Sequence, residues 1–104
     1  MKGVKIISLH NNQISLIKKA IANNREAQQQ LFGQHSSKML GVCRQYVKDV
    51  HHAEDLLLQG FLKVFTNLHK FKNEGSFEGW IRRIMVNTCI SYLRKKNLLD
   101  LSDE

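Results

Sequence analysis

Apolar residues recur along this chain at spacings of three and four, and the pattern predicts four helices. The first covers Gln13 to Ala22. Ile14, Ile17 and Ile21 share a face there, Lys18 and Lys19 lie outside it, and Asn12 is placed to cap it. The second follows Asn23, which stands three residues before Glu26 as in a capping box. Ala27, Leu31, Met39, Cys43, Tyr46 and Val47 hold its inner face to about Lys48. After a short break at Asp49-Val50-His51-His52, a third helix carries the stripe Leu57, Phe61, Val64, Phe65 and Leu68 and ends near His69 or Lys70. A polar loop, Lys72-Asn73-Glu74-Gly75, leads to Ser76, a residue suited to cap the fourth helix from Phe77 to about Lys96. Phe77, Trp80, Ile81, Ile84 and Thr88 share one side of that helix.

Four amphipathic helices with short connections imply an all-α fold, a compact bundle of about four helices. Residues 12–97 form the expected domain, 1–11 a leader, and 98–104, which turn acidic, a linker or tail. The absence of proline and the low glycine count, six in 104 residues, permit long helices and disfavour turn-rich β architectures. That length fits one domain with a core of its own.

Charge changes the picture more than composition does. A net charge of +7, with a pI near 9.7, points to a polyanionic partner, either nucleic acid or an anionic membrane. Ile6-Ile7-Ser8-Leu9 is too short for a secretory segment, and no run approaches the ~18 apolar residues of a membrane span. A soluble, cytoplasmic chain is expected. Cys43 and Cys89 are far apart in apolar settings and form no C-x-x-C pair, so two reduced core thiols are expected.

Nothing in the chain points to catalysis. Glu54-Asp55 is the only adjacent acidic pair within a predicted helix, and neighbours in sequence do not face each other there. The histidines at 10, 35, 51, 52 and 69 contain no i, i+4 ligand pair. There is no glycine-rich phosphate loop, nucleophile elbow or Cys-His motif. No catalytic residue, metal or cofactor is expected.

The fourth helix and the loop before it carry the binding chemistry. Arg82, Arg83, Arg94, Lys95 and Lys96 lie on the helix, and no acid occurs between Gly79 and Leu99. A cationic run near a helix C-terminus complements the dipole, which accounts for Arg94 to Lys96 but not for Arg82 and Arg83. Arg83, Asn87 and Arg94 fall on one stripe, away from Ile81, Ile84 and Thr88. Arginine grips phosphate or a guanine edge bidentately, and asparagine suits an adenine edge. In the loop, Phe71 stands beside Lys72 and Asn73, an aromatic-with-basic arrangement that single-stranded nucleic acid binding uses. Phe77 and Trp80 sit on the apolar face and are read as core.

These residues resemble a known family. Ala53-Glu54-Asp55-Leu56, Phe61-Leu62-Lys63-Val64-Phe65, Leu68, Phe71, Ser76-Phe77, Trp80-Ile81, Ile84, Asn87 and Leu93-Arg94-Lys95 occur in the order and spacing of region 2 of extracytoplasmic-function sigma factors. The likeness runs from about Ala20 to Lys96. It implies a sigma-factor region 2-like fold whose third helix docks on the clamp helices of the largest subunit of core RNA polymerase. It also implies that the loop and fourth helix read the promoter −10 element and trap a base flipped from the single-stranded non-template strand, at a cost of a few kcal/mol that pocket contacts offset. By position, Lys72, Asn73, Gly75 and Ser76 would rim the pocket, Arg82, Arg83 and Asn87 would face DNA, and Arg94 and Lys95 would hold phosphates.

The polymerase-facing positions implied are Asp55, Leu58, Gln59 and Leu62, and here the chain departs from the family. A Gln-Glu pair is replaced by Leu58-Gln59, so an acidic, polar face is more apolar and docking is expected to be weaker or altered. Ser76 and Gly79 stand where housekeeping sigma factors carry aromatic wedges, a loss shared by the extracytoplasmic-function group, and weak melting of imperfect promoters follows. The family adds a helix-turn-helix domain for the −35 element after this region; the sequence stops at Glu104, and alone it is expected to bind promoter DNA weakly. Two rival readings stand beside this one. One is a repressor that lays the fourth helix on duplex DNA. The other is a helical adaptor or sigma mimic that binds polymerase or an anti-sigma protein without reading DNA.

Overall fold

No proline occurs in the chain, and no glycine between Gly3 and Gly33, so nothing stops the N-terminal stretch from winding. A computed structural model, which describes residues 2–102 and the side chains of residues 12–100, shows α1 spanning Lys2–Ile21. The helix therefore starts well ahead of Gln13, and Asn12 is interior rather than a cap. Residues 2–11 of the expected leader are helical, while Met1 lies outside the described residues.

Two adjacent asparagines make the first corner. Asn23 adopts a left-handed φ of 66°. Its N–H donates to the Ala20 carbonyl at 3.1 Å, and the Asn24 N–H donates to the Lys19 carbonyl at 3.0 Å. This is a Schellman ending with asparagine in the usual glycine place. Asn24, not Asn23, then caps α2 (Arg25–Tyr46), its Oδ1 accepting from the Ala27 N–H at 2.9 Å. The expected Asn23–Glu26 box is replaced by a simple cap one residue on, because Asn23 is occupied in ending α1. Gln28 ties the corner from the far side, donating from Nε2 to the Ala20 carbonyl.

Asp49 accepts from the His51 and His52 N–H groups at 2.8 and 3.1 Å and so caps α3 (Val50–Thr66). These two bonds hold its carboxyl below the ordinary range. A single 3-10 turn, Leu68–Lys70, follows. After the loop, Ser76 Oγ accepts from the Gly79 N–H at 3.1 Å at the start of α4 (Phe77–Ser102), as its sequence position predicts. With no glycine or proline after Gly79, α4 runs on through the stretch expected to be a tail, and residues 94–100 of it are exposed. Residues 103–104 lie outside the described residues.

The four helices bury one core. Leu31, Met39 and Cys43 from α2 meet Leu56 and Val64 from α3 and Ile81, Met85 and Cys89 from α4, with Ile17 of α1 and Leu68 closing it. Each large aliphatic side chain removed from water contributes about 1.5–3 kcal/mol. Tyr46, expected on the inner face of α2, is exposed instead. Cys43 and Cys89 are buried and free, and burial next to a second thiol pushes Cys43 up to about 12, which keeps it protonated and unreactive. The one buried side-chain nitrogen without a partner among the described residues is Nε2 of His35, whose ring meets Phe77 edge-on. Burial keeps that imidazole below its ordinary pKa, hence neutral at pH 7.

Gly60 of α3 packs directly against the Met85 side chain of α4. A Cβ built there would overlap the Met85 Sδ, and Met85 is fully buried with no solvent to retreat into. Gly33, on α2, has open space around the same position. Helix propensity alone favours alanine at both by up to ~1 kcal/mol, while overpacking a closed core costs ~1–3 kcal/mol. Gly33→Ala is therefore expected to raise stability slightly, and Gly60→Ala to lower it by ~1 kcal/mol. Urea denaturation of the two variants separates these signs, and a gain from both would mean the crossing has slack.

Candidate nucleic-acid interface

The loop of residues 72–76 begins and ends on packed rings. Phe71 and Phe77 are both buried, with centroids 5.1 Å apart, and Trp80 lies 5.3 Å from Phe71 and 6.0 Å from Phe77. Such pairs add about 0.5–1.5 kcal/mol each beyond their burial. Two left-handed residues, Asn73 at φ 59° and Gly75 at φ 76°, turn the chain sharply between these anchors. Glycine suits the second position because it has no Cβ to clash. All five loop residues are exposed.

A hollow of about 460 Å³ opens under the loop. Phe71, Gly79 and Trp80 form its apolar lining, and Lys70, Lys72, Glu74, Ser76 and Arg83 supply polar groups around it. A second hollow of about 330 Å³ lies on the other side of Trp80, between α3 and α4. Lys63 from α3, Asn67 just after it, and Asn87 and Ser91 from α4 line it, together with Ile84. Trp80 and Lys70 border both hollows. Trp80 is only half-buried, so the reading of it as plain core needs correction: one side packs on Phe71 and Phe77 while the ring walls two cavities. Phe77 is core, as its position on the apolar face predicts.

Local hydrogen bonds set the second hollow. Lys63 Nζ donates to Thr88 Oγ1 at 3.3 Å, and that hydroxyl donates back to the Ile84 carbonyl at 2.7 Å. Thr88 is buried, so its polar atom is satisfied within its own helix while it holds the lysine across the α3–α4 seam. Asn67 donates from Nδ2 to the Lys63 carbonyl at 2.9 Å, capping the end of α3.

Of the residues singled out from sequence, Lys72, Ser76 and Arg83 line the first hollow and Asn87 the second. Asn73 and Gly75 are exposed on the loop but line neither. Arg82 is on another flank. It acts electrostatically on Glu78, whose carboxyl is held below its ordinary range chiefly by Lys38, 2.9 Å away on α2. One residue along a helix turns a side chain by about 100°, enough to part Arg82 from Arg83. Arg94 and Lys95 are exposed beyond both hollows. Sequence reasoning missed Lys63, Asn67, Lys70 and Glu74. The first three recur at i, i+4 and i+7, a polar stripe legible beside the apolar one.

The second face is on α3. Asp55, Leu58, Gln59 and Leu62 are all exposed, Leu58 at 58% and Leu62 at 70%. These two leucines, one turn apart, leave a bare apolar strip on α3, while Leu56, Leu57, Phe61 and Val64 of the same helix are buried. Among the described residues, no cluster of His, Cys, Asp or Glu could hold a metal ion, and no helix is long and apolar enough to cross a membrane.

A family model described as Sigma-70 region 2 matches residues 31–98. Among curated proteins, the chain is 38% identical over 68 residues to a probable RNA polymerase sigma factor of Haemophilus influenzae, covering 65% of this chain and 35% of that one. It is 29% identical over 85 residues to the ECF RNA polymerase sigma factor SigW of Bacillus subtilis, covering 78% of this chain and 46% of that one. The chain thus spans less than half the length of these relatives. Among solved structures, an engineered region 2 of sigmaE, determined by NMR in complex with GTAAAA, superposes with a TM-score of 0.75 at 24% identity, over 82% of this chain and 88% of that one. That likeness is one of fold.

Proposed function

The chain belongs to the Sigma-70 region 2 family, and from that premise we propose that it is a transcription-initiation module, active in the cytoplasm, that docks on core RNA polymerase through α3 and reads the promoter −10 element with the loop and α4. Sigma factors are initiation factors rather than enzymes, and the proposed role is likewise non-catalytic. The observation that carries the reading is the hollow beside Trp80. It combines a half-buried aromatic wall with Lys70, Lys72 and Arg83 at its edge, at the end of a loop pinned on both sides. An unstacked base needs a ring to lie against, and its phosphates need cations. Both are present within one cavity, and the relative solved with GTAAAA shares the fold.

In this reading Trp80 and Phe71 receive a non-template base, Ser76 and Lys72 meet its edge, and Arg83 holds the adjoining phosphate. Asn87, with Asn67 and Lys63, lines the neighbouring hollow along the path of the strand. Arg94 and Lys95 track phosphates toward the duplex, and Asn73 and Gly75 shape the loop. Asp55, Leu58, Gln59 and Leu62 form the polymerase face, with the clamp helices of the largest subunit as partner. The segment 12–97 is the working unit in this proposal.

A pull-down with core polymerase, followed by binding to a −10 non-template oligonucleotide library, tests the whole reading. Within it, Arg83→Ala and Asn87→Ala are expected to weaken single-strand binding about tenfold each, from the loss of ~1–3 kcal/mol per specific contact. Arg83→Ala should also lower the slope of log affinity against log salt by about 0.7, one phosphate of a single strand. Arg82→Ala, on the other flank, should do much less. Unchanged affinity and slope in the Arg83 and Asn87 variants would favour an adaptor that ignores DNA, and preference for duplex over single strand would favour a repressor.

The polymerase face gives a separate expectation. Leu58 replaces a polar residue of the family pattern, and its exposed side chain offers no hydrogen bond to a polar partner surface. The double change Leu58→Gln, Gln59→Glu should tighten binding to the isolated clamp helices several-fold, measured by calorimetry. No gain would mean that the apolar face suits its partner as it stands.

A further inference from the structure

We propose that Glu74 makes the hollow beside Trp80 selective for a nucleobase carrying an exocyclic amine (adenine, cytosine or guanine) and against thymine; this rests on the single-strand reading above. Glu74 is the only acid lining either hollow. It stands between the two left-handed residues Asn73 and Gly75, so the backbone rather than a side-chain partner sets where it projects. Although Lys70, Lys72 and Arg83 line the same cavity, no ion pair or hydrogen bond holds its carboxylate among the described residues. The acid on the next turn, Glu78, is by contrast committed to Lys38.

A lone carboxylate works against binding a polyanion, because it repels phosphate and cancels a neighbouring cation. What it offers in exchange is a pair of acceptor oxygens and no donor. An unpaired base presents its Watson–Crick edge to such a group. Cytosine offers its N4 amine there, adenine its N6 amine, and guanine its N2 amine beside N1–H. Thymine offers a single N3–H flanked by two carbonyls, and a carboxylate brought to that edge meets their oxygens. The remaining acceptors of the amine-bearing bases face donors already in the cavity. Lys72 and Arg83 carry N–H groups, and Ser76 Oγ, which accepts from the Gly79 N–H, still has its own proton to give. Phe71 and Trp80 supply the stacking surface whatever the base.

The test uses the full chain and four single-stranded probes: an all-thymine strand, and the same strand with one central adenine, cytosine or guanine. Affinities are read by fluorescence anisotropy for the wild type, Glu74→Gln and Glu74→Ala. Glu74 is exposed, so its replacement should leave the fold intact, checked by circular dichroism. The proposal predicts that the wild type binds at least one amine-bearing strand about tenfold more tightly than the all-thymine strand, the discrimination of one good base contact. In Glu74→Ala that ratio falls towards one while affinity for the all-thymine strand rises, because a like charge has gone. Glu74→Gln, which keeps one acceptor, should fall between. Equal binding of all four strands by the wild type, or a preference that survives Glu74→Ala, overturns the inference and leaves the single-strand reading standing. Failure to bind any of the strands overturns both.

Discussion

The contact between Phe71, Phe77 and Trp80 is the constraint on which the rest of the site depends. A five-residue polar loop in water would sample many conformations, each residue giving up roughly 1–2 kcal/mol of entropy when fixed. Here both of its ends are rings buried in the same cluster, so only the middle is free to vary. Two left-handed residues then direct the turn, and Ser76 passes directly from loop to cap. The third ring, Trp80, comes from the first turn of α4 and closes the cluster while leaving part of its surface bare. The same packing that fixes the loop therefore creates the cavity beneath it.

That arrangement transmits through the helices. The close crossing of α3 and α4 at Gly60 and Met85 brings the end of α3 alongside α4, and with it Lys63, Asn67 and Lys70. The Lys63–Thr88 bond marks the same seam on the polar side. One face of α3 is thereby spent on the core, a second contributes Lys63 to the hollow between the helices, and a third, with Leu58 and Leu62, stays bare. A single helix thus serves two proposed surfaces without sharing side chains between them. Charge is partitioned in the same way: Glu78 is neutralised by Lys38 on the α2 side, which leaves the cations around Trp80 with Glu74 as their one acidic neighbour in the cavity.

Much of this was legible in the chain. The apolar stripes place α2, α3 and the start of α4 to within a few residues, and Ser76 is readable as a cap because a hydroxyl three residues before a free N–H has one obvious bond to make. The asparagine corner was misplaced by one residue, since composition does not say which of two asparagines takes the left-handed turn. Helix ends at Lys2 and Ser102 lie beyond the expected bounds because the flanking stretches, which carry no proline, read as leader and tail as readily as helix. Of the residues lining the two hollows, Lys72, Ser76, Arg83 and Asn87 stand out in the sequence by residue type and by the family resemblance. Residue type groups Arg82 with Arg83, although the two diverge around the helix. Periodicity puts Trp80 on the core face but does not give how deeply a large ring sits in it. Glu74 is not legible as a cavity residue, because nothing along the chain shows that the loop closes over a hollow.

Trp80 is the only tryptophan in the chain, and it walls both hollows. Its fluorescence is therefore a direct report on whether nucleic acid enters where the account places it. Titrating the protein with a −10 non-template single strand should quench or shift that emission saturably, in step with binding followed by a labelled strand, and the duplex of the same sequence should do so much less. Tight binding of the strand with an unchanged tryptophan spectrum would contradict the account, because the DNA would then be held somewhere other than beside that ring.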